Sequence, residues 1–180
     1  RPEKDPLVRF TDNFSYQGDY YIFVRSKGFY KISEDKLVPY DISSQVKNLE
    51  VERSLNVNDD EFLLISNNKL YKYLLGDITK LSRFKTEADE YIKEKGLYKG
   101  LLEFGKYYFL GTSLDGIVVI DKKGNFIKTI DAKDGLKLGG IYDLQIDNQN
   151  NIWAASANGL SKIEIGSPIT YWDDSNGLKG

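Results

Sequence analysis

Asp134-Gly135-Leu136, Ile141-Tyr142-Asp143-Leu144-Gln145-Ile146, Asp147-Asn148-Gln149-Asn150-Asn151, Ile152-Trp153-Ala154-Ala155-Ser156 and Asn158-Gly159-Leu160-Ser161-Lys162-Ile163-Glu164-Ile165 follow one another and read as most of a four-stranded unit. Residues 141–146 alternate apolar with polar side chains, the mark of a half-buried strand. Residues 147–151 are turn chemistry. Residues 152–156 are apolar enough for a strand covered on both faces, and Asn158-Gly159 turns the chain because Asn and Gly accept positive φ at little cost. Residues 160–165 alternate again, Gly166-Ser167-Pro168 turns, and Ile169-Thr170-Tyr171-Trp172 supplies a fourth strand. Asn176-Gly177-Leu178 then restates the opening, 42 residues after Gly135.

The third strand of this unit has three earlier counterparts. Gly159-Leu160-Ser161-Lys162-Ile163 is preceded by Gly116-Ile117-Val118-Val119-Ile120, Lys69-Leu70-Tyr71-Lys72-Tyr73 and Gly28-Phe29-Tyr30-Lys31-Ile32, at spacings of 43, 47 and 41 residues. An apolar strand comes before each, at 20–24, 62–65, 107–110 and 152–155. A four-stranded unit recurring at this interval is the signature of a β-propeller blade. The expected fold is therefore all-β, with about four blades of four antiparallel strands at 14–41, 46–84, 96–130 and 135–174, in a single propeller segment over 1–180. Residues 7–11 resemble 169–173 and read as the outer strand of a preceding blade, and 175–180 read as the start of a next repeat. Propellers run to about eight blades, so this chain is expected to be part of a larger one; the alternative is closure of four blades, with residues 7–11 supplying a strand to the last. The exposed faces of its end blades would then meet that remainder or a second copy.

Several details follow from the same frame. Residues 1–6 are polar and read as a disordered leader. Residues 85–95 are charged and rich in helix formers, and are expected to form a loop or one to two helical turns. Pro39 and Pro168 fall in or beside outermost strands, where a missing N–H is tolerated. Trp153, in a middle strand, reads as core between blades. Lys162 and Glu164 should project from the side opposite Ile163 and Ile165. Trp172, beside Asp173 and Asp174, lies nearer a blade end and is a candidate for exposure.

Composition limits the function classes. The chain is 41% hydrophobic and 13% aromatic, with 13 Tyr and 9 Phe, a globular composition suited to strand packing. Net charge is −2 with both signs interspersed, so no basic stripe points to nucleic acid or to an anionic membrane surface. No run reaches the roughly 18 apolar residues of a membrane helix. Without His, Cys or Met, the Ser-His-Asp and Cys-His mechanisms and the ordinary zinc and copper sites are excluded.

The repeats resemble the two-component regulator propeller repeat. Gly135-Leu136, the alternating strand ending at Asp147, Asn151-Ile152-Trp153, Ser156 and Gly159-Leu160 follow that pattern. Gly96-Leu97, Gly111-Thr112-Ser113 and Asp115-Gly116-Ile117 match it partly, with Tyr108 or Phe109 in place of Trp; the two earlier repeats have drifted further. The resemblance implies an extracytoplasmic sensor region of bacterial histidine kinases or hybrid two-component proteins, on the periplasmic or extracellular side of a membrane. It implies a non-catalytic segment that senses a small ligand (carbohydrate among the candidates) or a protein partner. A scaffold for protein assembly, of the secretion-accessory type, is the alternative, and a carbohydrate-active enzyme is a more distant one.

The remaining motifs are weighed on residues. Asp59-Asp60, Glu61 and Asp173-Asp174 sit in or beside turns and read as solvated carboxylates rather than a glycosidase pair. Residues 147–151 place oxygen ligands at alternate positions, but lack the Gly and closing Glu of a calcium loop and read as a hairpin turn. No catalytic residue, metal or cofactor is expected. The loops after second and fourth strands share one end of each blade: 41–47, 85–99, 131–140 and 173–180, with Ser26-Lys27, Asn67-Asn68, 113–115 and Ala157-Asn158. Long loops on a rigid scaffold are where binding sites reside. Tyr98, Lys137, Tyr142 and Asn158, at that end and near the inner strands, are the candidate ligand contacts.

Overall fold

Alternation along the sequence becomes alternation of side chains across a pleated sheet, and each repeat folds as one four-stranded antiparallel sheet. The structure is a computed structural model describing residues 9–41, 43–58, 60–74, 81–137 and 139–164, with the backbone of 170–172. The expectations for residues 1–6, Ile165, Pro168, the Trp172 side chain and 173–180 lie outside the described residues. The chain divides into two compact units, Arg1–Arg83 and Phe84–Gly180.

In the first unit, β1 (Phe10–Tyr16), β2 (Asp19–Val24), β3 (Gly28–Ser33) and β4 (Lys36–Asp41) make one sheet in chain order. The second sheet is β5 (Val51–Asn56), β6 (Glu61–Ser66), β7 (Lys69–Leu74) and β8 (Ser82–Arg83), reached through the single-turn helix α1 (Ser44–Lys47). The Gln17-Gly18 and Asn67-Asn68 hairpins hold both central residues at positive φ, which matches the twist of the flanking strands. Tyr21, Phe23 and Phe29 of the first sheet bury against Phe62, Leu64 and Tyr73 of the second, with Val46 and Leu49 from the connection. Full burial of each such side chain contributes about 1.5–3 kcal/mol. Phe29 stacks on Tyr73 at 5.3 Å between ring centroids. The buried Tyr73 hydroxyl donates to Oδ2 of the equally buried Asp41 at 2.8 Å, and Oδ1 of Asp41 accepts from the Ser43 amide.

At residues 10 and 11 the structure departs from the outer-strand reading of 7–11, of which residues 7 and 8 lie outside the described residues. Phe10 and Thr11 are the start of β1 and belong to the first blade, with Phe10 opposite Val24; they are not the outer strand of another blade. A bulge between Phe10 and Asp12 absorbs one residue, and the strand continues through Asp12-Asn13 into the expected start of the blade at Phe14. Pro39 lies in β4, the outermost strand, as its missing N–H requires.

In the second unit, α2 (Asp89–Lys95) is two turns long, with Ile92 buried, Asp89 and Glu90 in its first turn and Lys93 and Lys95 in its last. That charge order complements the helix dipole. The third sheet is β9 (Leu97–Phe104), β10 (Tyr107–Thr112), β11 (Ile117–Asp121) and β12 (Phe126–Ile130). A 3₁₀ turn at Ala132–Asp134 leads to the fourth sheet: β13 (Ile141–Ile146), β14 (Ile152–Ser156), β15 (Gly159–Ile163) and β16 (Thr170–Trp172). Phe109, Ile117 and Val119 of the third sheet pack with Ile141, Leu144, Ile152, Ala154 and Ile163 of the fourth.

Trp153 is a second correction. Ile152 and Ala154 are fully buried, so the alternation of β14 turns Trp153 to the opposite face, where it is only partly buried. Its indole N–H finds Asp147 instead of a core. Lys162 lies partly exposed on that same face while Ile163 is buried, as the alternation predicts.

Candidate functional site

The site is built from backbone outward, within the second unit. Gly100 in β9 and Gly111 in β10 lie side by side and leave a flat seat for Ile141. A Cβ on Gly100 would come within 2.8 Å of Ile141 Cγ2, and one on Gly111 within 2.8 Å of Ile141 Cβ. The absence of two side chains therefore lets β13 lie close on β9, the first strands of their sheets. The next residue, Tyr142, comes beside Tyr98, with ring centroids 5.4 Å apart and planes 58° apart. Tyr142 is 47% exposed and Tyr98 half-buried, so the pair presents aromatic surface to solvent.

The connections at this end converge. The Ser113 amide donates to Gly96 O at 3.0 Å and its hydroxyl to Leu97 O at 3.1 Å. The Ala157 amide donates to Gly140 O at 3.3 Å. Asn158 approaches Gly139: a Cβ there would meet Asn158 Nδ2 at 3.4 Å. The Asn158 amide donates to Ser156 Oγ. Asp115 ties α2 to the same end, accepting from the Tyr91 hydroxyl and facing Lys95 Nζ at 3.5 Å. Burial, reinforced by the Asp115 carboxylate, pushes the Tyr91 hydroxyl above the ordinary tyrosine range.

Of the four residues proposed from sequence, Tyr98 and Tyr142 are brought into contact, and Asn158 borders the loop leading to Tyr142. Lys137 is half-buried at the start of that loop, next to the buried Leu136. Sequence reasoning missed Leu114, 65% exposed on the Ser113–Asp115 connection. Its signal was an apolar side chain inside an otherwise polar turn. It also missed the Gly100/Gly111 seat, because two glycines 11 residues apart carry no mark of facing each other until the hairpin is formed.

The opposite ends of these sheets are closed by their own turns. Asp147 accepts from the amides of Gln149 and Asn151, from Asn151 Nδ2 and from Trp153 Nε1. These donors, the Asn151 side chain first and Trp153 next, hold its carboxyl well below the usual carboxylate range. Asp121 is engaged alike by Lys123 and Asn125. Residues 147–151 are thus a self-satisfied hairpin turn. Among the described residues no group of three or more acidic side chains is placed to hold a metal ion. No helix among them is long and apolar enough to cross a membrane.

No protein-family model matches the chain, and comparison with the curated proteins returns no match. Solved structures do match. The extracellular domain of BT3049 of B. thetaiotaomicron, assigned as a hybrid two component system, superposes with a TM-score of 0.69 at 10% identity, over 91% of this chain and 23% of that one. That of BT4673 of the same organism, with the same assignment, gives 0.64 at 15% identity, over 86% of this chain and 20% of that one. The β-propeller domain of Cps50 (Swd1) from Myceliophteria thermophila gives 0.57 at 10% identity, over 86% and 51%. The chain thus spans between a fifth and a quarter of the two extracellular domains, which are the class of protein its repeats resemble. Likeness at such low identity speaks to architecture: repeat, sheet topology and superposition agree that the chain has the β-propeller fold, in four blades of four antiparallel strands.

Proposed function

We propose that the chain is a non-catalytic sensing module of a bacterial signalling receptor, exposed on the periplasmic or extracellular side of the membrane. Its binding end is the loop cluster of the second unit, where Tyr98 and Tyr142 contact a small ligand, with Asn158 and Lys137 at the border. The single observation that carries this is the solvent-facing tyrosine pair. Two rings from two different first strands are held together by a seat that costs the sheet two side chains. Rigid aromatic surface bordered by an amide and an ammonium binds flat ligands with polar edges, carbohydrates included. The likeness to extracellular domains of proteins assigned as two component systems supports the receptor setting.

The test is a titration of the ¹⁵N-labelled chain with a panel of soluble oligosaccharides and periplasmic metabolites. Perturbed amides clustered at Tyr98, Ser113, Gly140, Tyr142 and Asn158, and abolished by Tyr142→Ala, are the expected result. Specific binding centred on the Asp121 or Asp147 turns would overturn the assignment.

A further inference from the structure

Two acidic side chains inside the first unit are served unequally. Asp41 has both carboxylate oxygens engaged, Oδ2 by the Tyr73 hydroxyl and Oδ1 by the Ser43 amide. Asp12 lies where β1 packs on β5, and its Oδ2 is buried with no hydrogen-bond donor. Ser54 Oγ on the facing strand and Thr11 Oγ1, next in the chain, are buried without a hydrogen-bond partner as well.

Local geometry puts the carboxyl there. β1 bulges between Phe10 and Asp12, and β5 between Val51 and Arg53. Both strands therefore re-aim their side chains just ahead of these polar residues. Two residues on from Asp12, the Phe14 ring lies 4.4 Å from that of Phe62 in the second sheet. Alternation turns Asp12 to the same side, so it continues the row of rings that joins the two sheets.

The charged form is the one this position serves poorly. An ionised carboxylate can only accept hydrogen bonds, and burying one of its oxygens without a donor is costly. The protonated form brings a donor of its own, for which a hydroxyl oxygen such as Ser54 Oγ is an acceptor. The Ser54 side chain, Arg53 and the Asn13 and Ser54 amides favour the charge, but burial outweighs them and pushes the Asp12 carboxyl above the ordinary aspartate range. Arg53 is the charged side chain among the described residues that acts on it.

We infer that Asp12 is a proton-operated latch between β1 and β5: the seam is tightest when its carboxyl carries a proton and loosens when the proton leaves. A carboxyl whose folded pKa is raised adds stability that is complete below its unfolded value of about 3.9, and that stability is lost as pH climbs through the folded value. Asp147 in the second unit has the opposite sign, because its carboxyl is held below the ordinary range. The latch must therefore be read locally. It does not rest on the tyrosine pair of the proposed binding end.

Carboxyl-carbon NMR of the ¹³C-labelled full chain follows Asp12 between pH 7 and pH 3, and hydrogen-exchange protection of the β1 and β5 amides, corrected for intrinsic exchange, follows the seam. The Asp12 midpoint should lie above about 3.9, and protection should rise as pH falls through it. Asp12→Asn, which is neutral at every pH, should show the higher protection already at pH 7, with no step in those strands. Arg53→Gln removes the opposing charge and should move the midpoint further up. An Asp12 midpoint at or below the ordinary value, or an Arg53→Gln chain with the midpoint unmoved, would overturn the inference. So would an Asp12→Asn chain that is less protected at pH 7 or fails to fold, because the charge would then be what holds the seam.

Discussion

The indole N–H of Trp153 donates to Oδ2 of Asp147 at 2.9 Å, which makes this side chain of β14 a clamp on its own hairpin turn. Asp147 is ionised in the fold at pH values where an ordinary aspartate is partly protonated, because Asn151, Trp153 and Gln149 all donate to the charged form. A carboxyl whose folded pKa is depressed adds stability above its unfolded pKa of about 3.9, and that stability fades as pH falls toward the folded value.

Acid unfolding therefore reports this turn. Between pH 6 and pH 2 the melting temperature of the wild type should fall more steeply than that of Asp147→Asn, and the two curves should converge at the acid end. Parallel curves across the whole range would show that the turn contributes nothing to the acid limb.

Trp153→Phe tests the corrected orientation. The ring remains and the donor is lost, so the variant should fold normally and lose part of the acid dependence that Asp147→Asn removes. Trp153→Ala should cost less than the roughly 3–5 kcal/mol typical of a fully buried Trp, because Trp153 is only partly covered. Urea denaturation measures both.

The glycine seat predicts a coupling. Gly100→Ala places a methyl 2.8 Å from Ile141 Cγ2, an overpacking expected to cost about 1–3 kcal/mol. In an Ile141→Ala background that atom is gone, and the cost of Gly100→Ala should shrink markedly. Equal costs in the two backgrounds would mean that the close approach of β9 and β13 is not what the glycine serves.

Tyr73→Phe leaves Oδ2 of the buried Asp41 without its donor. The expected loss is about 1–3 kcal/mol by chemical denaturation. Burial first, and the Asp41 carboxylate next, raise the Tyr73 hydroxyl far above the ordinary value. A raised folded pKa adds stability below the unfolded value of about 10 that is lost as pH climbs past it. The wild type should therefore show an alkaline loss of stability that Tyr73→Phe lacks.

Much of the architecture was legible because it is written locally. The four third-strand segments found by spacing open β3, β7, β11 and β15 to within a residue, and the charged stretch 85–95 holds α2. The hairpin at 147–151 was read correctly because an Asp followed four residues later by Asn needs no distant partner to close on itself. The start of the first blade was placed at Phe14 rather than Phe10, since the likeness of 7–11 to 169–173 is local and only pairing with β2 assigns Phe10 and Thr11 to this sheet.

The sequence by itself determined the period, the strands and their turns, because side-chain alternation and positive-φ residues act over two to five positions. It could not say which side of an alternating strand meets a neighbour. Ile152-Trp153-Ala154-Ala155 is apolar on both sides, so only the seating of the fourth sheet on Phe109, Ile117 and Val119 decided that Ile152 and Ala154 are core and Trp153 is not. The same holds for the candidate site. Tyr98 and Tyr142 are 44 residues apart in the chain, and their contact exists because two missing side chains let Ile141 settle between β9 and β10, a distance relation that no local pattern encodes.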